Sequence, residues 1–89
     1  MLSKKTATQD KKIMTHFKEG GSLTPNEAWF IARTMKLSTR VSVLKTFGKN
    51  ISSKWVKDKK HGFRFMIYWM PDYIKGSIES HIINKGLIT

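Results

Sequence analysis

Apolar positions along the chain follow a helical period, then an alternating one, then a helical one again. Ile13 and Phe17 lie four apart with Met14 and His16 beside them, which predicts a first helix over residues 9–19. Ala28, Ile31, Ala32 and Met35 share one face of a second helix. Leu37, Val41 and Leu44 share one face of a third, predicted over 38–47. From residue 50 the period falls to two: residues 50–57 (NISSKWVK) alternate, and 63–69 (FRFMIYW) are rich in strand formers. Ile74, Ile78 and Ile82 restore the four-residue spacing and predict a last helix over 73–84, weakened by Gly76.

The punctuation between these segments agrees with them. Gly20-Gly21 stops the first helix, since glycine readily takes the left-handed C-cap conformation. Thr24, Pro25 and Glu27 form the clearest start signal in the chain: an N-cap, a proline at the first helical position and the far end of a capping box. Gly48 ends the third helix. The polar, glycine-ended stretch Asp58-Lys59-Lys60-His61-Gly62 predicts the turn of a β-hairpin, which Pro71-Asp72 closes. Residues 1–8 are polar and basic without apolar period and read as a flexible arm. The expected organisation is therefore that arm, a domain over 9–70 and a helical tail over 71–89.

Charge changes the picture most. The chain of 89 residues carries 17 Lys and Arg against 6 Asp and Glu, a formal net charge of +11. Between Arg33 and Arg64 the only acid is Asp58. A merely solvated surface mixes signs, so this distribution reads as a footprint for a polyanion, held through counterion release. Hydrophobic residues make up 39%, enough to fold one modest core. With no cysteine, disulfides, thiolate metal sites and a cysteine nucleophile are excluded, and a reducing cytoplasm is the expected setting. No apolar run approaches the roughly 18–20 residues of a membrane span, and no apolar stretch follows the basic N-terminus as in a signal peptide.

The third helix carries the candidate chemistry. Opposite its apolar side lie Thr39, Ser42, Val43 and Thr46, with Ser38, Arg40 and Lys45 at the edges and no acid. Small hydroxylated side chains flanked by cations suit a helix in the major groove, where hydroxyls and methyls reach base edges and Arg pairs with guanine or phosphate. A solvated helix more often carries Glu and Lys in salt-bridging spacing. The expectation is that Thr39, Arg40, Ser42 and Thr46 lie nearest the bases, with Ser38 beside them. Lys36, Lys45, Lys49, Lys54, Lys59, Lys60 and Arg64 are expected to neutralise phosphates. The basic hairpin tip serves solubility equally well on composition alone; its adjacency to the helix favours contact.

The segments Gly21-Ser22-Leu23-Thr24-Pro25-Asn26-Glu27-Ala28 and Leu37-Ser38-Thr39-Arg40-Val41, with Leu44, Gly48-Lys49-Asn50-Ile51 and Gly62-Phe63-Arg64-Phe65, resemble small winged helix-turn-helix proteins of bacteriophages and prophages. The resemblance covers roughly residues 8–70. It implies an α+β, mostly helical fold of three helices with a two-stranded wing, here with a C-terminal helical extension. It also implies double-stranded DNA binding, as in a transcriptional regulator or DNA-architecture factor. Two departures, the aromatic cluster Tyr68-Trp69-Met70 and the tail 71–89, point to a homodimer or a host protein partner.

Other classes fare less well. His16, His81 and His61 are far apart and lie in no ligand-spaced cluster, the acids include no close pair, and no nucleophile turn or phosphate loop appears, so neither catalysis nor a metal or other cofactor is expected. Phe63, Phe65 and Trp69 could stack RNA bases, but they alternate as a core face does. The strongest alternative is a protein-interaction module that binds and inhibits a host complex through Phe30, Trp69 or the 73–84 tail.

Overall fold

The computed structural model of the chain describes residues 4–89. Their elements follow in the order α1 (Lys4–Lys18), β1 (Ser22–Leu23), α2 (Pro25–Ala32), α3 (Leu37–Thr46), β2 (Ser52–Asp58), β3 (Arg64–Trp69), α4 (Ile78–Asn84) and β4 (Leu87–Ile88). Three helices, a hairpin and a C-terminal helix are thus present as expected. The two short strands β1 and β4 are additions. α1 begins at Lys4 rather than near residue 9. Of the arm expected over residues 1–8, residues 4–8 form the first part of this helix, and residues 1–3 lie outside the described residues.

Local chemistry explains where the first helices begin and end. Gly20 takes φ 93°, which returns the amides of Gly20 and Gly21 to the carbonyls of Phe17 and His16 at 3.0 and 3.2 Å. α2 opens on the predicted capping box. The Glu27 amide donates to Thr24 Oγ1 at 3.4 Å, and the Thr24 amide donates to the Glu27 carboxylate at 3.0 Å. The end of α2 comes earlier than the apolar spacing predicts. Arg33 adopts φ 55° and its amide donates back to the Trp29 carbonyl, a left-handed cap without glycine to signal it. Met35 therefore falls in the turn and is 86% exposed, not on the inner face where helical spacing had put it. Within that turn the buried Thr34 accepts the Lys36 amide at 3.2 Å.

The strands form one antiparallel sheet in the order β1-β3-β2-β4. Directly opposed residues of an antiparallel pair point to the same face. The register pairs Ser53 with Tyr68, Trp55 with Met66 and Lys57 with Arg64 on one face. Ser52 with Trp69, Lys54 with Ile67 and Val56 with Phe65 share the other. Each face has its own core. Tyr68 joins Ile13, Phe17, Leu23, Ala28, Leu37, Val41 and Leu44 beneath α1, α2 and α3. On the opposite face Val56 and Ile67 pack with Ile82 and Leu87, and Phe65, Trp69 and Ile78 border them.

The C-terminal segment thus packs back on its own sheet. Its helix starts at Ile78, not at residue 73. The amides of Tyr73 and Ile74 both return to the Met70 carbonyl at 3.0 Å, Gly76 takes φ 74°, and Ser77 caps the Ser80 amide at 3.2 Å. A chain of hydrogen bonds ties this segment to the first helix. His16 Nε2 donates to the Ser22 carbonyl at 2.7 Å, and His81 Nε2 donates to the Lys75 carbonyl at 2.7 Å. His81 Nδ1 is then free to accept the hydroxyl of the buried Ser22 at 3.0 Å. The Lys75 amide closes the circuit on the Gly20 carbonyl at 3.1 Å. Two of the three histidines are therefore joints between elements.

Candidate nucleic-acid interface

α3 presents the division of faces that its sequence implies. Leu37, Val41 and Leu44 are buried, while Ser38, Thr39, Ser42, Lys45 and Thr46 are exposed. At 1.5 Å per residue a helix of this length runs about 15 Å, enough to lie across a major groove about 12 Å wide. Lys36 at its start and Lys49 beyond its end are also exposed. The Thr46 hydroxyl donates to the Ser42 carbonyl at 3.0 Å, which leaves its oxygen with acceptor capacity. Four hydroxyls, two methyls and flanking cations therefore share one open surface.

Arg40 stands apart from that set. Its guanidinium turns back toward α1, where Nη1 lies 3.7 Å from Asp10 Oδ1, with side chains only 15% and 12% exposed. The two facing atoms are buried and make no hydrogen bond, so the ion pair is the main compensation for their desolvation. Burial raises the Asp10 carboxyl above the ordinary carboxylate range, and the charge of Arg40 opposes that rise. Beside Asp10, Gln9 Nε2 donates to the Arg33 carbonyl at 3.1 Å. Two consecutive side chains of α1 thus brace the turn and α3 from beneath.

The hairpin divides its basic residues between the two faces of the sheet. Arg64 lies opposite Lys57 on the face shared with α1–α3, and both are exposed. Lys54 instead lies opposite Ile67 on the α4 face and is half-buried. Lys59 and Lys60 occupy the tip. There Asp58 Oδ1 accepts the amides of Lys60 and His61, each at 2.8 Å, and the Gly62 amide returns to the Asp58 carbonyl at 2.8 Å. Those bonds, led by the one from His61, hold the Asp58 carboxyl below its usual range. The lone acid of the basic segment is thus the residue that folds the turn.

Two exposed side chains on this surface are placed only by the sheet register. Lys57 belongs to the basic segment between Arg33 and Arg64, and its face becomes evident once the register sets it opposite Arg64. Trp55, an aromatic within that alternating strand, is 64% exposed. Its position two residues before Lys57 was the available signal, since both must share a face. A different exposed surface lies on α2 and the following turn. There Pro25, Asn26, Trp29, Phe30 and Met35 line a cleft of about 540 Å³, and the Arg33 guanidinium sits 5.5 Å from the centre of the Trp29 ring.

Among the described residues no group of three or more His, Asp or Glu side chains is placed to hold a metal ion, and no helix is long and apolar enough to cross a membrane. Comparison with protein families matches residues 8–65 to the profile described as winged helix-turn-helix domain. Comparisons with curated proteins and with solved structures returned no match.

Proposed function

Since the chain belongs to the winged helix-turn-helix domain family, a non-catalytic fold generally associated with DNA binding and transcriptional regulation, we propose that it binds double-stranded DNA with α3 in the major groove and the hairpin as its wing. The observation that carries this reading is the exposed, acid-free face of α3, continuous in character with the cations before, after and beside it. In this mechanism Ser38, Thr39, Ser42 and Thr46 lie against base edges. Lys36, Lys45, Lys49, Lys59, Lys60 and Arg64, with Lys57 added by its register, neutralise phosphates. Lys54 sits at the margin, and Arg40 holds α3 in place through Asp10. The resemblance to phage and prophage proteins supports a phage-encoded regulator or DNA-architecture factor working in the cytoplasm of a bacterial host.

Fluorescence anisotropy of labelled random duplex across a salt series tests the reading. Binding that weakens steeply with salt is expected, and Lys59→Ala should weaken all sequences alike and flatten the salt slope by about one. Absence of duplex binding at low salt, despite a net charge of +11, would overturn it.

One observation favours a second reading, in which the scaffold engages a protein. Phe30 is 77% exposed and lines one cleft with Trp29 and Met35, an apolar surface on α2 and the turn that follows it. Phe30→Ala should leave duplex binding unchanged and abolish such a contact.

A further inference from the structure

Along the α1–α3 face of the hairpin, cover by the helices falls away toward the tip. On β3, Tyr68 is buried, Met66 is half-buried and Arg64 is exposed; on β2, Ser53 is half-buried and Trp55 and Lys57 are exposed. Trp55 therefore stands just beyond the helices, opposite Met66. The next row toward the tip sets Lys57 between Arg64 on β3 and Ile88 on β4. Rows two residues apart on a strand lie roughly 6.6–6.8 Å apart. A flat apolar side chain is thus placed one row from two adjacent cations, along a cleft of about 440 Å³.

We infer that this side of the wing holds an unpaired nucleotide next to duplex DNA, its base stacked on Trp55 and its phosphate between Lys57 and Arg64. A nucleotide joins a planar ring to an anion, which matches the row of apolar side chains and the row of cations. A base inside a duplex has both faces covered by its neighbours, so the base that reaches an indole is an unpaired one, in an overhang, a gap or an opened pair. Stacking on an aromatic side chain tolerates any base, and the adjoining cations follow the backbone. The inference rests on the nucleic-acid reading and adds a ligand class to it.

The test compares a labelled blunt duplex with the same duplex carrying a three-nucleotide single-stranded overhang, using wild type, Trp55→Phe and Trp55→Ala. Wild type should bind the overhang duplex about tenfold more tightly than the blunt one. Trp55→Phe should keep most of that preference. Trp55→Ala should lose it while binding the blunt duplex within about twofold of wild type, and an unchanged thermal melt would show that the fold is intact. Equal wild-type binding to both duplexes, or a preference that survives Trp55→Ala, overturns the nucleotide site and leaves the duplex reading standing. Trp55-dependent binding to the overhang without blunt-duplex binding does the reverse. No binding to either DNA overturns both.

Discussion

Arg40 and Asp10 show how a residue's role is set by what it touches. On a helical wheel Arg40 borders the outer face of α3, and an arginine there suggests base recognition. Its guanidinium instead meets a carboxylate that α1 carries into the interior. The spacing within α3 could not reveal this, because the partner lies on another helix. Arg40→Ala leaves the Asp10 carboxylate buried without its cation. The expected loss is about 1–3 kcal/mol at pH 7 by chemical denaturation, shrinking toward pH 4 as Asp10 takes up a proton. DNA affinity should fall alike on every sequence; relaxed preference at a single base position would make Arg40 a reader after all.

The same site sets a pH dependence. Asp10 binds its proton more tightly folded than unfolded. Its contribution is therefore fully present below the unfolded value of about 3.9 and is lost as pH rises through the higher folded value. Asp58 runs the other way: its carboxyl is lowered, so its contribution is present above about 3.9 and is lost as pH falls through the folded value. Side-chain carbonyl shifts followed by NMR should show Asp10 titrating at higher pH than Asp58. The opposite order would refute both assignments.

At the scale of elements, whatever is local was legible. The capping box at Thr24, the glycine stop at Gly20 and the hairpin between Asp58 and Gly62 each depend on residues within a few positions of one another. Thr24→Ala should accordingly destabilise the protein by about 1 kcal/mol, measured by urea denaturation. What depends on distant partners was hidden. The left-handed Arg33 ends α2 without glycine, and α4 begins late because Ser77 caps it after a glycine bend. β1 and β4 are too short to show a period and exist only because β3 and β2 offer them edges. The candidate surface divides the same way. The exposed hydroxyls of α3 follow from helical spacing, whereas the pairing of Lys57 with Arg64 and the exposure of Trp55 require the sheet register.

For the whole molecule, the tail is best regarded as half of a second core. Val56 and Ile67 are covered by Ile82 and Leu87, and the Ser22–His81 bond and the Lys85–Glu27 ion pair fasten that segment to β1 and α2. Deleting residues 71–89 should therefore not release a folded 9–70 domain. Loss of the cooperative melt and of dispersed amide resonances is expected. A deletion that melts cooperatively near the full-length temperature would show the tail to be an accessory.

β4 also has a practical consequence. By pairing Ile88 with Lys57 it delivers Thr89 to the margin of the wing, beside Trp55 and Arg64. Any affinity tag or fluorescent reporter fused after Thr89 would emerge at that margin and crowd whatever docks there. A reporter or purification handle placed after Thr89 should therefore be cleaved before an affinity is measured.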